Sequence, residues 1–291
     1  MRVLILLLVL AGTARAEFLF RDQGPASIEL TENGAPVFVY NHGRMLKDGV
    51  PADRARCCYL HPVYAPNGVV ITDDFPSDHY HHRGVSWTWP VVTVDGKKYD
   101  LWTIRGILAK FERWVRKEAK KNKAVLAFEN GWYVGDRRVV SEQVEIVVHP
   151  AGGGRRDLDF TVRLRAADAD VAISGSPEGK GYGGFTIRFA PRTDTVIRTA
   201  GLEKAPDSDL RPEPWAQLTA SFDGRQAGAR ITIDPSNRGY PNGWCLRNYG
   251  FLGVNFPGLQ HHRLDPDAPL IMKFRMSLLS EREQGLNGPP R

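Results

Sequence analysis

The stretch Asp157-Leu158-Asp159-Phe160-Thr161-Val162-Arg163-Leu164-Arg165 decides the fold. Its apolar residues alternate strictly with charged or polar ones. That period of two puts Leu158, Phe160, Val162 and Leu164 on one face of a strand and the rest on the other. Ile271 to Leu278 repeats the pattern, with Met272, Phe274, Met276 and Leu278 opposing Lys273, Arg275 and Ser277. Ala229, Ile231 and Ile233 oppose Arg230, Thr232 and Asp234 in the same way. Strands of this kind belong to antiparallel sheets with one covered face. Turn chemistry separates them, at Asp95-Gly96, Ala151-Gly152-Gly153-Gly154 and Asp223-Gly224. Only Phe111 to Lys121 resembles a helix. It lies between a strand-like Ile107 to Val115 and a strand-like Val125 to Tyr133, so it reads as part of a long hairpin turning at Lys120 to Lys123. The predicted fold is all-β, a large antiparallel β-sandwich with very little helix, forming a single domain over residues 17–283. No fixed repeat period points to a propeller or solenoid.

The composition agrees. Of 291 residues, 42% are hydrophobic and 25% charged, which excludes wholesale disorder and fibrous repeats. The 29 glycines and 20 prolines suit a chain built from turns. Met1-Arg2, the apolar run Val3 to Ala11 and Ala14-Arg15-Ala16 form the pattern of a secretory signal peptide over residues 1–16, too short to span a bilayer. A buried first strand is the alternative, which nine apolar residues without alternation fit poorly. Cleavage removes Arg2 and Arg15 and lowers the formal charge from +6 to +4. It implies a periplasmic or extracellular protein with no membrane partner. Residues 284–291, rich in Gly, Asn and Pro, read as a loose tail. The one basic cluster, Arg113 to Lys123, is broken by Glu118 and falls on the hairpin tip, so no nucleic-acid partner is expected. The cysteines allow two readings: a bridge from Cys57 or Cys58 to Cys245, or three buried thiols. None has zinc-site spacing.

Chemistry concentrates in Asp74-Phe75-Pro76-Ser77-Asp78-His79-Tyr80-His81-His82-Arg83-Gly84, which holds three of the eight histidines and leads into the strand-like Val85 to Trp89. Loops entering a rigid strand are usual carriers of functional side chains. Imidazoles beside carboxylates and an arginine suit acid–base work, with His79 and His82 as catalytic candidates and Asp78, His81 and Arg83 as ligand-binding ones. Two other readings stand beside this one. One is a metal held by His79, His81 and His82, with His61 or Asp78 completing the shell. The other is a structural loop whose histidines cap backbone groups. Glu142 is the third catalytic candidate, because it shares the parity of Val140, Val144, Ile146 and Val148. A carboxylate there is either a general acid or base in a cleft, or a surface group beyond a bulge. Gly179-Lys180-Gly181-Tyr182-Gly183-Gly184 lets backbone approach a ligand closely and offers Lys180. Asn237 and Arg247 lie in a stretch rich in aromatic and amide groups, as a sugar site requires. No Gly-x-Ser-x-Gly elbow, His-Glu-x-x-His, Walker loop or dinucleotide fingerprint is present.

These motifs resemble those of the PmoA family of exported bacterial proteins. The matching pieces are Tyr59 to Tyr64, Asp78-His79-x-His81-His82-Arg83-Gly84, Asp100-Leu101-Trp102, Lys180 to Phe185 with Arg188, Pro214-Trp215-Ala216, Asp234-Pro235-x-Asn237, and Trp244 to Asn255. The resemblance adds Trp102 and Asn255 to the ligand-binding candidates and implies a galactose-mutarotase-like supersandwich. The methane-oxygenase label attached to that family needs transmembrane helices, and this sequence has none. The chain departs from the family at Asn255-Phe256-Pro257-Gly258, which alters one wall of a pocket. The expected function is binding or processing of a carbohydrate by histidine–carboxylate chemistry without a cofactor, as an epimerase, lyase or glycoside hydrolase would. A non-catalytic carbohydrate-binding protein and a metal-dependent oxidoreductase on the His79–His82 loop are the rivals.

Overall fold

The three alternating segments lie side by side in one sheet. In the computed structural model, which describes residues 17–281, Leu158 pairs with Met276 and Phe160 with Phe274, while Met276 pairs onward with Ile231 and Phe274 with Ile233. Leu158, Val162, Leu164, Ile231, Met276 and Leu278 are fully buried. Each such side chain contributes about 1.5–3 kcal/mol over its exposed state. The expected signal segment 1–16 and the expected tail 284–291 lie outside the described residues.

The eight-stranded sheet runs in the order Thr193–Thr199, Trp215–Phe222, Arg225–Ile233, Leu270–Ser280, Arg155–Ala166, Arg137–Val148, Lys123–Val134, Leu108–Lys120. Its last two strands are the long hairpin that the sequence predicts, paired from Leu108↔Tyr133 to Lys120↔Lys123. A nine-stranded sheet faces it, ordered Phe18–Asp22, Ser27–Glu32, Ala35–Asn41, Tyr59–Val63, Val85–Thr88, Gly184–Arg188, Phe251–Asn255, Gly243–Arg247, Ser208–Pro212. A four-stranded sheet, His262–Leu264, Val171–Ser174, Val91–Val94, Lys97–Tyr99, completes the architecture. All pairings are antiparallel, and the only helical turn among the described residues is Ala52–Arg54. The fold is therefore an all-β antiparallel sandwich.

Trp87 and Phe185 from the nine-stranded sheet meet Phe160 and Phe274 from the other, with ring centroids 4.6–6.3 Å apart. One continuous apolar cluster extends from Phe18 to Leu278. The buried Arg156–Glu32 ion pair ties the two sheets together, and Glu32 also accepts from the Ala151 amide. The same alternation that sends Trp87, Phe185 and Ile187 inward sends Ser86, Thr88, Thr186 and Arg188 to the outer face of the nine-stranded sheet. Gly84 precedes this strand because a Cβ there would overlap the Leu60 carbonyl oxygen.

Candidate functional site

The histidine loop folds over that outer face. Its ends are joined by the Asp74↔Arg83 bridge, and the amides of His79 and His82 close turns onto the carbonyls of Pro76 and His79. The buried Arg56 guanidinium anchors it from beneath. It donates to the Tyr80 carbonyl, to the Asp74 carboxylate and, at 2.6 Å, to the His82 carbonyl, and lies 3.5 Å from the Phe75 ring centroid. Tyr59 donates its hydroxyl to the other Asp74 oxygen at 2.5 Å.

Above this anchor, His79 stacks parallel to His82 (centroids 4.8 Å, interplanar 8°) and to Tyr249 (5.7 Å, 7°). His79 Nδ1 lies 3.0 Å from Asp78 Oδ2, and both side chains are half exposed, at 41% and 48%. Arg188 Nη2 donates to both Asp78 oxygens at 2.9 and 3.0 Å, and its guanidinium lies 4.8 Å from the Tyr249 centroid. His82 is buried against Phe251 and, edge to face, Trp102, with Nδ1 3.5 Å from Arg188 Nη1. A cavity of about 10 Å³, the size of one water, is enclosed by His81, His82, Arg83, Arg188 and Trp102, together with hydroxyls of Ser86, Thr88 and Thr186.

Burial, then the charges of its neighbours, lowers the His81 pKa from 6.5 to about 4 and pushes His82 down further. Both are neutral at pH 7. Burial raises the Asp78 carboxyl, but the close His79 imidazole and the hydrogen bonds from Arg188 outweigh it and hold Asp78 below the usual carboxylate value. Burial lowers Arg83 to about 10, still protonated, and raises the Tyr249 phenol to about 12. The sign of the histidine effect follows from linkage. The folded pKa values lie below the unfolded ones, so the unfolded state binds more protons between them and stability falls as pH drops below 6.5. For His81 that window closes near pH 4. Hydrogen exchange read at the amides of residues 75–83 is therefore expected to lose protection between pH 6.5 and 4. Unchanged protection after correction for intrinsic rates contradicts it.

Asp78, His79, His81, His82, Arg83 and Trp102 thus assemble in one place. Arg247 shares the outer face through its register with Phe251, but its guanidinium is spent on the Ser208 and Leu246 carbonyls and Asp209, fastening the neighbouring strand. Asn255 also lies on that face, between Gly184 and Gly243, and both its buried amide atoms lack a partner. Lys180 is exposed in the turn beside Tyr182, whose ring meets Trp102 at 5.2 Å. Two expectations need correction. Asn237 makes a two-way clasp with the Lys273 backbone, at 2.8 Å in both directions, which fixes a turn beside the other sheet. Glu142 faces the core between the sheets, where it accepts from Asn130 at 2.6 Å and Trp132 at 2.8 Å. It is on the wrong side of the nine-stranded sheet to meet His79 or His82.

Arg188, Tyr249 and Phe251 complete the site without having been singled out as its residues. Alternation carried the signal for Arg188, since Phe185, Ile187 and Phe189 fix its opposite face; Tyr249 stood in the aromatic and amide-rich stretch read as suited to a sugar, and Phe251 gave no signal. Among the described residues, no group of three His, Cys, Asp or Glu side chains is placed to hold a metal ion. The donor set agrees, because the stacked rings of His79 and His82 cannot aim their nitrogens at one point. His61 is turned away onto Thr72, 3.0 Å from its hydroxyl. The three cysteines are free thiols.

The chain belongs to a family of unknown function (DUF6807), matched over residues 27–285. This match overturns the PmoA assignment made from the motifs. No curated protein matches the chain by sequence. Among solved structures it is similar to a galactose mutarotase related enzyme from Lactobacillus acidophilus, at 9% identity and TM-score 0.38, covering 91% of this chain and 98% of that one. It is also similar to a GalM/aldose epimerase homologue from C. elegans, at 8% identity and TM-score 0.37, covering 92% and 100%. Likeness at this level fixes no chemistry.

Proposed function

We propose that this member of DUF6807 binds a carbohydrate at the histidine loop and transfers protons to or from it through His79. The observation that carries the reading is the chain Arg188–Asp78–His79. A half-exposed imidazole sits 3.0 Å from a carboxylate that an arginine holds in place, within a frame of aromatic rings. An imidazole so placed can carry a proton to or from a bound ligand, and the neighbouring Asp78 carboxylate orients its ring. The exposed ring of Tyr249 suits the C–H face of a sugar ring, while Asp78 and the neutral His81 suit its hydroxyls.

The two histidines should behave differently on substitution. His79→Ala is expected to lower turnover by about 10²–10⁴-fold, the usual contribution of a general acid or base, with little change in melting temperature. His82→Ala removes a buried ring from a packed stack and is expected to cost about 1–3 kcal/mol of stability besides its effect on the ligand. The test is saturation-transfer NMR on a panel of free sugars and sugar acids, followed by proton NMR of each binder for conversion. No binder in the panel overturns the proposal. Binding without conversion assigns the site to recognition alone, and equal turnover in His79→Ala removes that residue from the chemistry.

A further inference from the structure

We propose that a second cavity, which shares with the histidine cavity only the Arg83 side chain, is a binding site for an organic anion with an apolar body. It has a volume of about 510 Å³, within the range of small-molecule sites, and lies between the segment around Cys57 and the first arm of the long hairpin. Its chemistry divides cleanly. Leu101, Ile104, Leu108 and Phe111 supply an apolar wall, and Arg83 supplies a buried charge.

Arg83 is the decisive residue. It is 5% exposed, and its Nη2 donates to the Trp102 carbonyl at 2.7 Å and the Leu101 carbonyl at 3.4 Å. Among the described residues no carboxylate lies within ion-pair distance of it. A buried guanidinium satisfied only by carbonyl oxygens is costly unless an anion completes it. Arg56, the other buried cation on the wall, is already matched by Asp74, and the one acid of the lining, Asp53, already faces Arg54 at 3.6 Å. Arg44 and Lys110 add exposed positive charge at the rim. The local field thus favours an anion, and of the two buried cations on the wall Arg83 is the one without a carboxylate partner among the described residues. Ile104 strengthens the case. It adopts φ 63°, a region that β-branched residues avoid, and so its place on the cavity wall is held against its own backbone preference.

Phenylacetate is a suitable probe, with phenylacetamide as its neutral counterpart of the same shape. In calorimetry on the intact protein, phenylacetate is expected to bind about tenfold or more tightly than the amide, a difference of about 1.4 kcal/mol. Cys57 lines the cavity, 3.2 Å from Cys58 and 3.1 Å from the Ala109 carbonyl, and reports where binding occurs. Phenylacetate should slow its alkylation by iodoacetamide, read by peptide mass mapping, and His79→Ala should leave that protection unchanged. Arg83→Gln should abolish the preference for the acid. Should that variant not fold, Leu108→Glu places a negative charge on the exposed rim and should weaken the acid while sparing the amide. Equal affinity for acid and amide, absence of Cys57 protection, or protection that disappears in His79→Ala each overturns the proposal. The last outcome would place the anion at the histidine loop instead.

Discussion

Glu142→Ala is expected to lower the unfolding free energy by about 3–5 kcal/mol, through two lost hydrogen bonds and a cavity. The carboxylate is 2% exposed and satisfies two buried donors, Asn130 Nδ2 and Trp132 Nε1. Asn130 in turn accepts from the Tyr40 hydroxyl at 3.1 Å, so the substitution opens a network and not one pair. Burial raises the Glu142 pKa above its ordinary 4.5, against the pull of the Asn130 and Trp132 hydrogen bonds and the nearby Trp87 N–H. A folded value above the unfolded one means that this group's titration favours folding most below pH 4.5 and loses that contribution as pH rises through the folded value. The stability gap between wild type and variant should therefore narrow from acid towards neutral pH in urea titrations. A loss below about 1 kcal/mol would show that the two donors find other acceptors. Binding of the proposed sugar ligand by the folded variant should persist, because the nine-stranded sheet separates Glu142 from the histidine loop.

That result bears on what the sequence made legible. Alternation in Asp157 to Arg165, Ala229 to Asp234 and Ile271 to Leu278 specified three strands correctly, and the structure pairs those same strands as neighbours. The hairpin tip was readable from a basic, turn-forming run. Period two also told that Glu142 points with its apolar neighbours, but parity says which face and never what covers it. The covering layer, Trp87 and Tyr40 among it, comes from the other sheet and from far along the chain. The histidine loop was visible as local composition. Its partners were not, because Arg188 and Tyr249 reach Asp78 and His79 across sequence separations that only strand order closes. Asn237 failed for a related reason: an amide in a polar, aromatic stretch serves a turn as readily as a ligand, and its Lys273 clasp spans 36 residues.

Arg56→Met is expected to damage stability and site together, which separates it from Glu142→Ala. The substitution keeps much of the aliphatic stem but leaves Asp74 with only the Tyr59 hydroxyl from this cluster, and a carboxylate only 11% exposed tolerates that poorly. Breaking one side of such a pair costs about 3–5 kcal/mol. It also removes the guanidinium from the Tyr80 carbonyl, between His79 and His81, and leaves the His82 carbonyl with only the Phe75 amide at 3.4 Å. Residues 75–82 should then exchange amide hydrogens faster than the strands on either side, and affinity for the proposed sugar ligand should fall about tenfold or more. Tyr59→Phe, which removes one donor to Asp74 and keeps Arg56, should cost about 1 kcal/mol and leave the loop protected. The comparison assigns the loop's order to the guanidinium specifically, since only Arg56 reaches both carbonyls and the carboxylate at once. Loop exchange unchanged in Arg56→Met, with ligand binding intact, would mean that the His79–His82–Tyr249 stack holds the loop by itself.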